Sequence, residues 1–156
     1  MKTIEVLDLP EDARELVREC EAKGARTLFQ RNGRPVALLV SYDEYTALRE
    51  TIEIANDADL GAMINAASEE ESVPHGERVR LAISAEAAVN ALAEHEREIV
   101  RDALQRIDDD PIIGAPLFDP LKGLWSYRAE HLRVIYRIVA EARWVVVLSV
   151  TRAPVS

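Results

Sequence analysis

The segment from residue 124 to residue 156 is rich in arginine. It contains five arginines against two glutamates, Glu130 and Glu141. A guanidinium group is planar, contacts a phosphate through two parallel hydrogen bonds and keeps its charge at physiological pH. The segment therefore has side chains suited to hold a phosphate or an acidic partner, and these are Arg128, Arg133, Arg137, Arg143 and Arg152.

The N-terminal half has the opposite charge balance. Residues 1–76 contain eight Lys and Arg against 16 Asp and Glu, whereas residues 77–156 contain 11 against 12. One interpretation is that an acidic front half neutralises a basic surface on the back half. The alternative is that both halves are domains with ordinary solvated faces.

Four cations of the N-terminal half are candidates for a DNA-binding patch, namely Lys2, Arg14, Arg31 and Arg34. DNA affinity needs a cluster of phosphate-neutralising cations, and a two-fold dimer would double this one. The acidic balance of this half weighs against strong non-specific affinity. The alternative is that Arg14 lies on a solvated helix face, while Arg31 and Arg34 flank a turn.

No metal or cofactor is predicted. Cys20 stands alone, and His75 and His95 have no second ligand at metal-site spacing. Phosphate-cradling glycine motifs and nucleophile elbows do not occur. The chain has no run of about 18 apolar residues and no secretory N-terminus, so we expect a cytoplasmic protein without a membrane span.

The elements that must position these side chains follow from hydrophobic periodicity and turn signals. In the first half we expect a strand at Thr3–Val6, a helix ended by Gly24, a hairpin turning at Asn32-Gly33, and two helices. Ser41 is predicted to cap the first of these two helices. Residues 68–77 combine a like-charge run, a proline and a glycine, which predicts a linker.

In the second half, a strand at Val79–Ile83 precedes a helix capped by Ser84 and a further helical stretch. Three strands follow, at about residues 124–128, 132–139 and 143–150. The sequence thus predicts an α+β protein of two small domains, β-α-β-β-α-α over residues 1–67 and β-α-α-β-β-β, with an antiparallel sheet, over residues 78–156.

The first half resembles the Phd/YefM family of antitoxins. The resemblance covers about residues 4–67, and its carriers are ARELVR, RNGRPVALLVS and YDEYTALRETIEI, in the family's order and spacing. It implies a homodimer formed through the hairpin and helix, operator DNA binding by the N-terminal region, and an acidic C-terminal segment that wraps a toxin. Leu38, Val40, Tyr45 and Leu48 are the apolar residues expected at the dimer interface.

The second half resembles the RelE/ParE superfamily of toxins. Its carriers are Asp110-Pro111, LKGLW, Tyr127-Arg128, HLRVIYRI and VLSVTR. The RelE-like branch implies cleavage of messenger RNA on the ribosome, whereas the ParE-like branch implies gyrase inhibition without catalytic residues. The partners implied are thus the antitoxin half, operator DNA, and the ribosome with its mRNA.

A RelE-like nuclease needs a base for the ribose 2′-hydroxyl, cations for the charge that develops on phosphate, and an acid for the leaving oxygen. By matching motifs, the resemblance assigns Arg133 and Arg152 to the phosphate, with Arg128 and Lys122 as further cations. The sequence departs from the family, because no tyrosine or histidine follows Arg152 and a usual lysine pair is missing. An altered nuclease and a ParE-like binding module both remain open.

Strand alternation adds an expectation for Arg133. Arg133, Ile135 and Arg137 share one face, and Leu132, Val134 and Tyr136 share the other, which we expect to be the core face. Arg133 should then project onto an accessible face. Glu69, Glu70 and Glu71 are expected to face these arginines, with Met63 and Ile64 packed against the toxin half.

Overall fold

The computed structural model describes residues 1–141 and 143–154. It divides into two compact units, Met1–Thr46 and Ala47–Ser156, and combines helices with two sheets. The predicted α+β class is confirmed. Within the described residues, the helices are too short or too polar to cross a membrane.

The first unit contains a helix and a hairpin. Helix α1 (Glu11–Lys23) ends at Gly24, whose φ of 66° is the left-handed conformation expected of that glycine. Strands β1 (Thr27–Arg31) and β2 (Arg34–Leu39) pair antiparallel. Asn32 and Gly33 both have positive φ, of 51° and 79°, which is the predicted tight hairpin turn.

The strand expected at Thr3–Val6 does not form. A single 3-10 turn occupies Val6–Asp8 instead. A strand needs a hydrogen-bonded neighbour, and the sheet of this unit contains β1 and β2 alone among the described residues.

Two helices follow the hairpin. Helix α2 (Tyr42–Ala55) begins in the first unit and continues in the second, and the hydroxyl of Ser41 caps it by accepting a 3.1 Å hydrogen bond from the Glu44 amide. Helix α3 (Ala58–Ser68) is capped by Asp57, which accepts from the Leu60 amide at 3.0 Å.

A six-stranded sheet forms the centre of the second unit. Its strand order is β3-β4-β8-β7-β6-β5, with β4 parallel to β8 and the other neighbours antiparallel. The strands are β3 (Ser72–Pro74), β4 (Val79–Ala82), β5 (Ala115–Pro116), β6 (Leu124–Ala129), β7 (Leu132–Val139) and β8 (Trp144–Arg152). The segment predicted as a linker therefore contributes an edge strand, because its backbone finds partners along β4.

Helices α4 (Ile83–Asn90) and α5 (Glu94–Asp109) connect β4 to the rest of the sheet. The prediction that Ser84 caps α4 is wrong. The Ser84 amide instead donates to the Glu70 carboxylate at 2.8 Å, so a glutamate from the acidic run binds an amide at the start of this helix.

Both faces of the central strand β7 are covered. Five consecutive residues from Leu132 to Tyr136 are at most 2% exposed, and successive side chains of a strand point to opposite faces. The core includes residues from α2, α3 and α5 as well as the sheet, among them Ile54, Leu60, Ile64, Val100, Leu104 and Ile107.

Tyr136 ties a loop to this core. Its hydroxyl donates to the Pro111 carbonyl at 2.8 Å and accepts from the Gly114 amide at 3.1 Å. Burial raises the pKa of Tyr136 to about 12, and its ring stacks on Trp125 with centroids 6.3 Å apart. Tyr136 is therefore a core residue rather than a surface for stacking bases.

Candidate functional site

Arg128 and Arg133 are direct cross-strand partners in β6 and β7. Opposite residues of an antiparallel pair project from the same face of a sheet. Two of the cations predicted to contact phosphate therefore lie side by side, as the two short strands and their tight hairpin require.

Two carboxylates of helix α2 oppose this arginine pair. Glu50 Oε2 lies 2.7 Å from Arg133 Nε, and Glu50 Oε1 lies 3.2 Å from Arg128 Nη2. Glu53 pairs with Arg133 and, at 3.3 Å, with Arg128. The two glutamates are three positions apart, so they project from one face of the helix. We call these four residues the arginine–glutamate cluster.

The accessible position predicted for Arg133 is wrong. Both faces of β7 are buried over residues 132–136, and the Arg133 side chain is 3% exposed because helix α2 contributes the carboxylates that cover it. A buried guanidinium is tolerated when it is paired, since an unpaired charge would carry its full desolvation cost. The cluster is thus a neutralised cation site.

Hydrogen bonds around the cluster fix the position of α2 on the sheet. The Ser126 hydroxyl, buried in β6, donates to Glu50 Oε2 at 2.9 Å. The Phe118 amide donates to the Thr51 hydroxyl at 3.0 Å. These contacts join residues 67 to 76 positions apart along the chain, so tertiary structure alone brings them together.

Arg152 lies away from this cluster. It is the cross-strand partner of Leu132, which faces opposite to Arg133. Its Nη2 donates to Glu96 Oε1 of helix α5 at 2.8 Å. The structure therefore separates the predicted catalytic arginines onto the two sides of the sheet.

Glu96 also binds His131, whose Nε2 lies 2.7 Å from Glu96 Oε2. Glu96 is 4% exposed. The hydrogen bond from His131, followed by that from Arg152, holds the pKa of Glu96 below its ordinary value of 4.5, against the opposing effect of burial. This carboxylate therefore fastens α5 to the β6–β7 turn and to the end of β8.

Lys122, the fourth predicted cation, is exposed in the turn before β6, next to Gly123 with its φ of 100°. Lys122 is therefore not one of the buried cations. Val155 and Ser156, which the predicted toxin domain includes, lie outside the described residues.

The candidate DNA-binding residues all belong to the first unit. Arg31 and Arg34 are exposed cross-strand partners at the tip of the hairpin. Lys2 is exposed near the N-terminus, and Arg14 is half-buried on α1. Two of the four predicted DNA-binding cations, Arg31 and Arg34, thus lie side by side at the hairpin tip.

The acidic run does not meet the arginines as predicted. Glu70 binds the Ser84 amide, and Glu69 and Glu71 are exposed. Of the two apolar residues expected to pack here, Ile64 is 4% exposed and Met63 is 47% exposed. The neutralising carboxylates come from α2 instead.

Sequence reasoning missed Glu50, Glu53 and Glu96. A signal existed for Glu50, which falls between Ala47, Thr51 and Ile54 on the buried face of α2. A carboxylate on an otherwise buried helix face predicts a cationic partner. Within the described ranges, no group of three or more His, Cys, Asp and Glu side chains is arranged to hold a metal ion.

The two halves of the chain are similar to different known proteins. Residues 1–74 match the family model described as "Antitoxin Phd_YefM, type II toxin-antitoxin system". The RelBE2 toxin–antitoxin complex from Mycobacterium tuberculosis is similar at 30% sequence identity with a TM-score of 0.45, over 51% of this chain and 99% of that chain. No curated protein matches the sequence.

Two solved structures from E. coli are also similar. The isolated RelE toxin has 20% identity and a TM-score of 0.45, over 52% of this chain and 88% of that chain. The intact RelBE toxin–antitoxin complex has 21% identity and a TM-score of 0.44, over 51% of this chain and 100% of that chain.

These similarities to RelE and RelBE cover the C-terminal half. The family match therefore lies in the N-terminal half of the chain and the structural similarities in its C-terminal half. The Phd/YefM antitoxin model matches 74 of the 156 residues, just under half of the chain. Helices α2 and α3 and strand β3 all fall within the family match, so Glu50 and Glu53 belong to the matched segment, whereas Arg128 and Arg133 lie outside it.

Proposed function

We propose that this chain is a fused type II toxin–antitoxin protein whose antitoxin half restrains a RelE-like, ribosome-dependent mRNA endoribonuclease. The observation that carries the proposal is the arginine–glutamate cluster. Arg128 and Arg133 present adjacent guanidinium groups from two paired strands, and carboxylates of the antitoxin half bind both of them. A carboxylate presents to arginine the same planar pair of acceptor oxygens that a phosphate does.

The proposed chemistry is attack of a ribose 2′-hydroxyl on the adjacent phosphate, which forms a 2′,3′-cyclic phosphate and breaks the bond to the 5′-oxygen of the next nucleotide. Water takes the proton of the hydroxyl and supplies one to the leaving oxygen. Arg133 and Arg128 would stabilise the charge that develops on the phosphate oxygens. Arg152 and Lys122 are proposed as further contacts to RNA. While Glu50 and Glu53 occupy the two guanidinium groups, the phosphate has no access to them, and the toxin half is inactive.

Assembly and location complete the proposal. Residues 1–67 act as the antitoxin domain, 68–77 as the connection and 78–156 as the toxin domain. The antitoxin domain forms a homodimer and binds operator DNA through Lys2, Arg14, Arg31 and Arg34. We place the protein in the cytoplasm, where its ribosomal target is.

The test is a ribosome-dependent transcript-cleavage assay with residues 77–156 freed from the antitoxin half. We expect growth arrest in cells and slow cleavage in the assay. Arg133→Ala should reduce cleavage about a hundredfold, because one lost contact to a developing phosphate charge costs roughly 3 kcal/mol. Arg101→Ala, which removes an exposed cation of helix α5, is the matched control and should leave cleavage unchanged. Toxicity unchanged in Arg133→Ala would contradict the proposal.

One observation favours a second candidate, a non-enzymatic ParE-like module. Arg152 is bound to Glu96 on the other side of the sheet from Arg133, so the predicted catalytic arginines are not assembled at one point. Gyrase inhibition by the freed half without any RNA cleavage would favour this second function. A freed half that is harmless in both assays would indicate a toxin fold retained for binding alone.

A further inference from the structure

A pocket lies where strand β7 ends and strand β8 begins, and we call it the Trp144 pocket. Its volume is about 290 Å³, close to the lower end of the roughly 300–1,000 Å³ that small-ligand sites have. The residues that line it are Arg78, Pro111, Ile138, Ala140, Arg143, Trp144 and Val145. None of these seven residues is acidic, so the pocket combines a mainly apolar lining with two cations.

The Trp144 pocket is separate from the arginine–glutamate cluster. Ile138 and Arg133 belong to the same strand, five positions apart. Because a strand advances by about 3.3 Å per residue, their backbones are roughly 17 Å apart. A ligand in the pocket would therefore not occupy the place where Glu50 and Glu53 bind Arg133.

The guanidinium groups of Arg78 and Arg143 are accessible to a ligand. Both residues are exposed, and within the described residues neither guanidinium group has an ion-pair or hydrogen-bond partner. Arg128, Arg133 and Arg152, in contrast, bind carboxylates. Arginine contacts phosphate through paired hydrogen bonds, so two unpaired arginines beside one pocket are suited to hold a phosphate.

Trp144 gives the pocket an aromatic wall. It is 41% exposed, and the Arg80 guanidinium lies 5.0 Å from its ring centroid. Arg80 is itself held by hydrogen bonds to the Ser72 hydroxyl and carbonyl, at 2.9 and 2.7 Å. Because Arg80 does not line the pocket, the pocket borders a part of the ring that Arg80 leaves uncovered. An exposed aromatic ring of this kind is a stacking surface for any nucleobase.

The fold fixes the walls of the pocket. The Val145 amide donates to the Arg78 carbonyl at 2.9 Å, and the Arg78 amide donates to the Asp108 carboxylate at 2.7 Å. The Pro111 carbonyl accepts from the Tyr136 hydroxyl at 2.8 Å. A site that is formed before its ligand arrives loses less conformational freedom on binding.

We propose that the Trp144 pocket binds one nucleotide, with its base against Trp144 and its phosphate on Arg78 and Arg143. The apolar lining suits the flat face of a base, and the two arginines suit the negative charge of the phosphate. The nucleotide is either free or one unit of a single-stranded RNA, since both present the same base and phosphate. The inference goes beyond the proposed function, because binding here requires neither a ribosome nor cleavage.

Titration of the isotope-labelled full-length chain with AMP, followed by nuclear magnetic resonance, tests the site. The chain has two tryptophans, Trp125 and Trp144, and the indole signal that disappears in Trp144→Phe belongs to Trp144. We expect AMP to shift this signal and to leave that of Trp125, which is stacked on Tyr136. A shift of the Trp125 signal alone, or of neither signal, would overturn the proposal.

Calorimetry with AMP, adenosine and inorganic phosphate separates the contribution of the base from that of the phosphate. We expect AMP to bind about tenfold more tightly than adenosine or phosphate, because each of these lacks one of the two contacts. Phosphate that binds as tightly as AMP would reduce the pocket to a general anion site and contradict the proposal.

A double variant, Arg78→Gln with Arg143→Gln, removes both cations from exposed positions. AMP should then bind no more tightly than adenosine. Lys23→Gln with Arg101→Gln removes two exposed cations from α1 and α5 and should leave the preference for AMP unchanged. A preference that survives in the first double variant would show that the two arginines do not hold the phosphate.

Variants of Trp144 test the stacking contact. Trp144→Ala should weaken AMP binding about fivefold or more, which is the lower end of the effect of losing one stacked base. Trp144→Phe keeps an aromatic face and should restore most of the affinity. An affinity for AMP that is unchanged in Trp144→Ala would contradict the stacked base.

A chain of three linked adenylates identifies the source of the nucleotide. If AMP binds and the trinucleotide binds as tightly or more tightly, the pocket takes a unit of an RNA strand. If AMP binds and the trinucleotide binds more weakly, the pocket takes a free nucleotide, because the neighbouring units obstruct it. Both rankings support the pocket, and a chain that binds neither compound refutes it while leaving the nuclease assay unaffected.

Discussion

At the scale of single residues, charge pairing explains where the cations of the second half lie. Arg133 is 3% exposed on its side chain and is held by Glu50 and Glu53, whereas Arg152 is 67% exposed and held by Glu96. Removing one partner of a buried ion pair leaves the other charge uncompensated, which typically costs about 3–5 kcal/mol. Exposed pairs contribute about 0–1 kcal/mol. The cluster on the α2 side, in which both signs of charge are largely buried, should therefore contribute more to stability than the Arg152–Glu96 pair, in which the arginine is exposed.

The lowered pKa of Glu96 predicts how the stability of the protein depends on pH. Its pKa is lower in the folded protein than its ordinary value of 4.5, so the folded state favours the ionised form. The stability that it contributes is fully present above about pH 4.5 and is lost as the pH falls through the folded-state pKa. We expect Glu96→Gln to destabilise the protein above pH 5, and the difference from the parent to shrink as the pH falls below 4.5.

Urea denaturation from pH 7 down to pH 3 measures this difference. Glu94→Gln changes an exposed carboxylate on the same helix and serves as the control, with a nearly pH-independent difference. A Glu96→Gln effect that grows as the pH falls would have the wrong sign for a lowered pKa and would contradict the assignment.

At the scale of elements, helix α3 docks by its apolar face. Ile64 is buried in the core that includes β8, while Glu69 and Glu71 are exposed and Glu70 binds one backbone amide. Apolar burial should outweigh the acidic run, since exposed charges contribute little.

We therefore expect Ile64→Ala to lower the free energy of unfolding by about 2–5 kcal/mol. Met63→Ala, a truncation at the exposed neighbour, is the control with a smaller loss. Replacing Glu69, Glu70 and Glu71 together by glutamine should cost less than Ile64→Ala, because the glutamine at position 70 can still accept the hydrogen bond from the Ser84 amide and only the charge of the acceptor is lost. Chemical denaturation of the three variants and the parent measures the loss of stability in each. A larger loss in the triple glutamine variant than in Ile64→Ala would contradict the prediction that apolar contacts dominate.

At the scale of the whole molecule, the first unit leaves much apolar surface exposed. Leu28, Phe29, Val36 and Leu38 of the hairpin are between 42% and 57% exposed. An exposed apolar patch on a small domain typically marks an interaction site, and the Phd/YefM resemblance predicts that a second copy covers it.

We expect a homodimer at micromolar concentration, measured by light scattering. Leu38→Lys should shift the protein towards monomer, because it places a charge in the predicted interface. Glu19→Gln, which changes the charge by the same amount on an exposed residue of α1, should leave the dimer unchanged. A parent protein that is monomeric under these conditions would refute the predicted assembly.

The sequence by itself determined several local elements, and it resembles antitoxins in its first half and toxins in its second. Helix caps at Ser41 and Gly24 and the Asn32-Gly33 turn are local signals, and the structure has each of them. Such features depend on neighbours a few positions apart, which a single sequence displays directly. The strand expected at Thr3–Val6 was wrong because a strand requires a partner that local sequence does not supply.

Only the tertiary structure decided what the charged residues do. The pairing of Glu53 with Arg133 spans 80 positions, and the placement of Arg152 opposite to Arg133 depends on the register of β7 against β8. The segment 72–74 became a strand because β4 offers an open edge. The physical reason is the same in each case. A buried charge or an unpaired backbone group is stabilised by a partner that the folded chain places beside it, and this partner can be distant in the sequence.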